Sequence, residues 1–228
     1  MNVAIIPARG ASKRVPRKNI RVFCGRPMIC WSIRAALESG CFEHVIVSTD
    51  DEEIAEIARG SGAEVPFMRP SELADDFTGT RPVVKHGIEQ IADEHGMPEH
   101  VCCLYATAPF VTPMDLRSGL SALLSSRCDF AFTVTRFDYP IQRAIRITED
   151  GRVAMFDPKH ETTRSQDLEA SYHDAGQFYW GRAQAFIDDV PLFSQASVPI
   201  LVPRSRVKDI DTLEDWHQAE LMFRSLSS

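Results

Sequence analysis

Short apolar runs and helical apolar stripes alternate along the first 135 residues. Val3-Ala4-Ile5-Ile6 is a continuous apolar run leading into Pro7, as in a strand buried on both faces. A polar loop, Ala8 to Gly25, follows. Pro27 to Ser39 reads as a helix, with proline at its start and Gly40 after its end. His44 to Thr49 reads as a strand, Asp51 to Arg59 as a helix and Glu64 to Phe67 as a short strand. Thr80 predicts an N-cap for a helix through Glu94, with Pro82 in its first turn and Gly96 and Pro98 beyond its end. Val101 to Tyr105 is a second doubly buried strand, Pro113 to Leu124 a helix and Phe130 to Thr135 a strand. This alternation predicts an α/β fold with a mostly parallel sheet and helices on both faces.

The rhythm then changes. Arg143 to Phe156 predicts a hairpin around Glu149-Asp150-Gly151. Asp157 to Asp174 is polar and irregular, too long for a simple connection, and reads as a lid or an arm. Gln177 to Trp180 is a strand, Arg182 to Ile187 a turn or two of helix and Ile200 to Val202 a strand. Thr212 caps a last helix that runs to about Phe223. We read residues 1–228 as a single domain with an irregular insertion at about 140–175.

Size and composition narrow the class. A chain of 228 residues holds one full core. No apolar run is long enough to span a bilayer, and the start has neither a basic region nor a cleavage site, so no secretory signal is expected. The six cysteines are scattered or adjacent (Cys102 and Cys103) and form no CxxC pair or zinc spacing. Free thiols fit a reducing, cytoplasmic setting.

The net charge is −7, which argues against nucleic acid as the partner. The distribution is uneven. Eight basic residues (Arg9, Lys13, Arg14, Arg17, Lys18, Arg21, Arg26 and Arg34) precede the first acidic one, Glu38. A basic cluster inside an acidic protein marks a small, focused anion site.

Several constellations can carry chemistry. The run from Ile6 to Asn19 follows the first strand, where ligands of parallel sheets bind. There, backbone N–H groups around Gly10 and the Ser12 hydroxyl can bond phosphate oxygens, and Arg9, Lys13 and Lys18 can neutralise them. It is not a P-loop, since GxxxxGK[ST] is absent. Asp209 and Asp211 stand two apart, so on an extended stretch both face one side and can reach a hard cation. The alternative is a capping Asp211 with Asp209 at the surface. Asp50 or Asp51 can simply cap the next helix. Arg69-Pro70 precedes Asp75-Asp76-Phe77-Thr78-Gly79-Thr80, where a helix N-terminus can face an anion. Ala106-Thr107-Ala108-Pro109-Phe110 closes the central strand, as a ligand-lining turn or a plain exit. Tyr172 to Trp180 is an aromatic strand, able to bind a sugar face or simply to fill core. His173 and Asp174 are adjacent and point apart, so no proton-transfer pair is expected.

Together these segments resemble one family. "IIPARGASKRVPRKNI" resembles the IPARxxSKxxxxKN signature of the acidic-sugar (nonulosonic acid) cytidylyltransferases. "VKDIDTLEDW" resembles their metal-binding DxD segment, and "RPSELADDFTGT" and "ATAPF" stand where that family has its RP…DT and TSP segments. "DDFTGT", "YATAPF" and "YHDAGQFYWG" look like the pseudaminic acid branch. Tyr105 replaces the glutamine with which N-acetylneuraminate enzymes bind their sugar, and Ala11 replaces a frequent second glycine.

The resemblance implies a Rossmann-like, three-layer nucleotide-diphospho-sugar transferase fold, with an arm from 140–175 exchanged across a homodimer. It implies that CTP and an acidic nine-carbon sugar react to give a CMP-sugar and pyrophosphate. Pro7, Ala8, Arg9, Gly10, Ser12, Lys13, Lys18, Asn19, Arg69 and Thr80 would hold CTP. Tyr105, Thr107, Gln177, Phe178 and Tyr179 would meet the sugar, Asp209 and Asp211 would hold Mg²⁺, and Lys18, Arg9 and Asp211 would be catalytic. Alternatives are the same reaction on N-acetylneuraminate, legionaminate or Kdo, a related enzyme using GTP or UTP, and a non-catalytic nucleotide-binding regulator.

Overall fold

The computed structural model describes residues 1–75 and 77–226; Asp76, within the 75–80 segment singled out above, lies outside them. Strand β1 (Asn2–Pro7) sits inside a six-stranded sheet. It pairs in parallel with β4 (His44–Ser48) on one side and β5 (His100–Leu104) on the other. Two short strands, β2 (Val22–Phe23) and β3 (Arg26–Pro27), make a separate antiparallel ribbon within the N-terminal loop region. Beyond β5 come β9 (Tyr172–Arg182), β6 (Phe130–Arg136) and β10 (Ser197–Leu201). β9 runs antiparallel to both its neighbours, while β6 and β10 are parallel.

Side-chain alternation along β1 produces three layers. Ala4 and Ile6 pack with α1 (Met28–Ser39), α2 (Glu52–Gly60) and α4 (Pro113–Ser125). Val3 and Ile5 pack on the other face with α3 (Thr80–His95) and α5 (Ala183–Ile187). A third cluster lies to one side. Val15 and Phe23 of the N-terminal loop region meet Ile210 and the last helix, α6 (Leu213–Leu226), through Trp216 and Ala219.

Most element ends follow local chemistry. Gly40 closes α1 in the left-handed conformation (φ 65°), and Asp51 caps α2 through the Ile54 amide. Thr112 and Asp115 form a capping box before α4, as Thr212 and Asp215 do before α6.

Three expectations are corrected. Glu64 to Phe67 is no strand; only single bridges join Glu64 to Ile46 and Met68 to Thr49, and Pro66 between them cannot donate to a ladder. Gly79, not Thr80, holds the N-cap position of α3, without a side-chain cap. The Gln177–Trp180 strand is the middle of an eleven-residue one, irregular at its partner β6.

In the 137–171 region, β7 (Ile145–Ile147) and β8 (Val153–Met155) form the expected hairpin, turning at Gly151 (φ 76°). Its apolar residues Ile147, Val153 and Phe156 are exposed.

Candidate functional site

From β1 the chain moves outward to β4, then returns to β5 on the opposite side of β1. This order makes the carboxyl ends of β1 and β5 the switch point, where a crevice opens in such sheets. A cavity of about 290 Å³ lies there. Pro7, Arg9, Ser12, Lys13, Lys18 and Asn19 line it from the first loop, Thr78, Gly79 and Thr80 from the start of α3, and Arg69, Tyr105 and Thr107 complete it. Eight of the ten residues expected to hold CTP thus share one cavity.

The loop is irregular but heavily tied. Asn19 Nδ2 donates to the Arg9 carbonyl (2.9 Å), and its own carbonyl accepts the Ile29 amide. Arg17, in the left-handed region (φ 55°), makes a two-pronged ion pair with Asp51 and also reaches Glu53. The Arg17 pair holds the Asp51 carboxyl below its ordinary range. Arg17 therefore spends its charge on the scaffold. Lys18 Nζ donates to the Ile210 carbonyl (2.7 Å) and lies 3.5 Å from Asp211 Oδ1, while Arg14 pairs with Asp211 Oδ2 at 2.7 Å. Asp211 joins the basic loop to the C-terminal segment.

Two expected nucleotide contacts lie outside the cavity lining. Ala8 is buried, its amide donating to the Ser48 carbonyl. The Gly10 amide donates to Asp50 (2.9 Å), so this N–H is taken up by a carboxylate of the protein, correcting the expectation that it faces phosphate. Glycine is needed there for closeness, since a Cβ would stand 2.6 Å from Asp51 Oδ2.

Arg69 is buried and donates to the Ser48 carbonyl and hydroxyl. Burial lowers its pKa to about 10, with Asp50 opposing and Arg9 adding to the effect. It remains a cation at neutral pH. Its hydrogen-bond acceptors are neutral, so a ligand anion would be a favourable partner. The N-terminus of α3, whose first turn contains no acid, adds positive potential at the same wall.

A second cavity, about 280 Å³, shares Thr80 and Tyr105 with the first. The Tyr105 hydroxyl lies 3.3 Å from Thr80 Oγ1, so these two residues form the partition. Tyr179, Asp174, Phe130 and Phe193 line the far side. Burial raises the pKa values of both tyrosines.

Of the residues assigned to a sugar, Tyr105 and Thr107 line the first cavity, and Tyr105 and Tyr179 the second. Phe178 is corrected: it is wholly buried in the core, against Gly119 on α4, and offers a ligand no surface. Gln177 is also buried; its Nε2 donates to the Arg206 carbonyl (2.5 Å), tying β9 to the C-terminal segment.

That segment is held at alternate positions. Arg206 makes a two-pronged pair with Asp115, Lys208 pairs with Asp215 (2.7 Å), and Ile210 is buried. Asp209, between them, is exposed, and Asp211 is partly exposed. Two oxygen donors at this spacing suit a hard divalent cation that draws further ligands from substrate and water. Among the described residues no group of three or more His, Cys, Asp or Glu side chains could hold a metal ion.

The roles of Asp50, Arg17 and Val15 were not legible beforehand. Opposite charge at the end of β4 was a usable signal, but Asp51 was equally explained as the helix cap that it also is.

A three-layer α/β sheet with a cationic cavity at its switch point defines a nucleotide-handling protein. The family described as Cytidylyltransferase matches residues 3–221. A pseudaminic acid cytidylyltransferase of Campylobacter jejuni is 45% identical over 98% of this chain and 96% of its own. A CMP-N,N'-diacetyllegionaminic acid synthase of Legionella pneumophila is 31% identical over 96% and 94%. The solved structure of a CMP:2-keto-3-deoxy-manno-octonic acid synthetase complexed with CTP is similar in fold, with TM-score 0.70, 16% identity and 98% of both chains covered. The chain belongs to the cytidylyltransferase family and is an enzyme.

Proposed function

We propose that the protein transfers the cytidylyl group of CTP to the anomeric hydroxyl of an acidic nine-carbon sugar of the pseudaminic acid type. The new bond joins the sugar oxygen to the α-phosphorus as the hydroxyl releases its proton to solvent; the bond to the β-phosphate breaks, and pyrophosphate leaves. One observation carries this reading. A cation-lined cavity at the switch point adjoins, across the shared residues Thr80 and Tyr105, a second cavity that is largely apolar. The first suits a nucleoside triphosphate and the second the body of a modified sugar. The 45% identity to a pseudaminic acid cytidylyltransferase selects the sugar class.

The chemistry asks mostly for positioning and charge stabilisation. In this reading Arg9, Ser12, Lys13 and Asn19 bind the triphosphate, with Arg69 and the start of α3 opposite. Pro7, Ala8 and Gly10 shape the loop. Lys18 stabilises charge that develops at the phosphates, and Asp211 sets the position of its ammonium. Asp209 and Asp211 would hold Mg²⁺, which would supply neutralisation of phosphate charge. Tyr105, Thr107 and Tyr179 meet the sugar.

The 140–175 arm exchanges across a homodimer, which would cover the exposed Ile147, Val153 and Phe156. The six free cysteines suit the cytoplasm. Among the described residues no helix is long and apolar enough to cross a membrane.

Pyrophosphate release from CTP and Mg²⁺, measured across pseudaminate, legionaminate, N-acetylneuraminate and Kdo, tests the proposal. Pseudaminate should show the highest kcat/KM, and GTP or UTP should not replace CTP. CTP binding without turnover on any of these sugars would overturn it.

A further inference from the structure

β9 contains an irregularity whose effect is local and specific. Its register on β6 pairs Phe132 with Tyr179 and then Val134 with Asp174. Between those pairs β6 advances two residues (132 to 134) and β9 five (179 to 174), leaving three extra residues on β9. An odd excess reverses side-chain parity, because strand side chains alternate with period two. In a regular strand Asp174 would share a face with Phe178 and Trp180, which are core residues. The bulge instead brings it to the face of Tyr179, whose hydroxyl donates to Asp174 Oδ2 at 2.6 Å. Gly176 makes the turn possible with φ 62°, and its amide donates to Asp174 Oδ1 (2.8 Å). The carboxylate is thereby fixed from both sides while it lines the second cavity.

Asp174 is the one carboxylate among the described residues that line this cavity. The one cation lining the cavity, Arg81, donates to the carbonyls of Asp189 and Val190 and lies 3.7 Å from the Asp189 carboxylate. No cation pairs with Asp174 among the described residues. An ionised carboxylate accepts about four hydrogen bonds and donates none; two of its positions are filled by Tyr179 and Gly176. It can accept a donor from a ligand, and it repels a second carboxylate.

We propose that Asp174 is a specificity-determining residue, accepting the N–H of an acylamino substituent on the sugar. This rests on the proposed reaction, cytidylyl transfer to a nonulosonic acid. An acylamino group offers an N–H beside a small apolar group, matching a carboxylate set among Val84, Phe130, Phe186 and Leu192. The repulsion also sets direction. The sugar's own acid is turned towards the cationic first cavity, and its amide-bearing end towards Asp174.

Steady-state kinetics of Asp174→Asn, with CTP and a diacylamino nonulosonic acid each varied, tests this. Losing a charge-assisted acceptor should raise KM for the sugar about 10- to 100-fold. KM for CTP and the melting temperature should stay at wild-type values, a split that a merely structural role would not give. An unchanged sugar KM, or equal rises in both KM values, overturns the proposal. If Asp174→Asn fails to fold, Asp174→Glu keeps the charge but displaces it, and the same KM split is required of it. Failure of the underlying reading is distinct, because wild-type enzyme would then turn over no acylamino nonulosonic acid with CTP.

Discussion

Two segments of this chain lack regular structure for long stretches, and they are held in opposite ways. The loop from Ala8 to Gly25 is anchored to four other parts of the fold. Val15 is buried beside Trp216, Arg17 is paired with Asp51, Lys18 is bonded to Ile210, and Asn19 supports both Arg9 and Ile29. The 137–171 segment makes mainly local contacts, such as its own hairpin and Gln142 to the Glu169 carbonyl. It leaves Tyr139, Ile147 and Phe156 exposed. Irregular backbone is therefore no measure of disorder. What matters is whether side chains find anchors in distant elements, and in the loop those anchors leave Arg9, Lys13 and Lys18 lining a cavity.

The largest effect should come from the loop's own chemistry. Lys18→Ala should lower kcat by about 10²–10³, the usual cost of losing one preorganised charge donor. Circular dichroism should show the fold retained. Turnover within a few-fold of wild type would make the loop mere scaffold and break the contrast.

The arm supplies the converse test. If a second copy covers its apolar face, the double variant Ile147→Asp, Phe156→Ser should convert dimer to monomer in sedimentation equilibrium. An unchanged dimer would show that the arm's anchors lie elsewhere.

The smallest effect concerns an anchor. Arg17→Met leaves Asp51 without its main partner and, since water screens this partly exposed pair, should cost about 0.5–1 kcal/mol in chemical denaturation. The cost depends on pH with a definite sign. Arg17 lowers the folded-state pKa of Asp51, so the contribution is present at neutral pH and is lost as pH falls through that lowered value. The stability gap between wild type and variant should thus narrow below about pH 4, near the ordinary aspartate value. A gap that is constant down to pH 2 would mean that this ion pair is not the anchor.

Much of the fold could be read from local pattern. The β1, β4, β5 and β6 segments and the α1, α2 and α4 helices follow from apolar runs, proline or capping residues at their starts and glycine at the end of α1. Two errors came from edges: a single pairing partner and Pro66 reduced a predicted strand to bridges, and Gly79 displaced Thr80 at the cap. In the site, the basic loop was legible because its charges are contiguous. Gln177 and Phe178 were misjudged because their neighbours are aromatic, and composition cannot say which face of a bulged strand looks outward.

The sequence by itself determined the α/β class, the basic character of residues 9–18 and the spacing of Asp209 and Asp211. Each depends on short-range pattern, which neighbouring residues express before any tertiary contact forms. Only the tertiary structure decided which charges are committed to the scaffold and which line the cavity. It alone brought Arg69, Thr80 and Tyr105 to the loop and turned Asp174 into the second cavity. Those outcomes depend on strand order and on the parity of one bulge, and both are long-range properties.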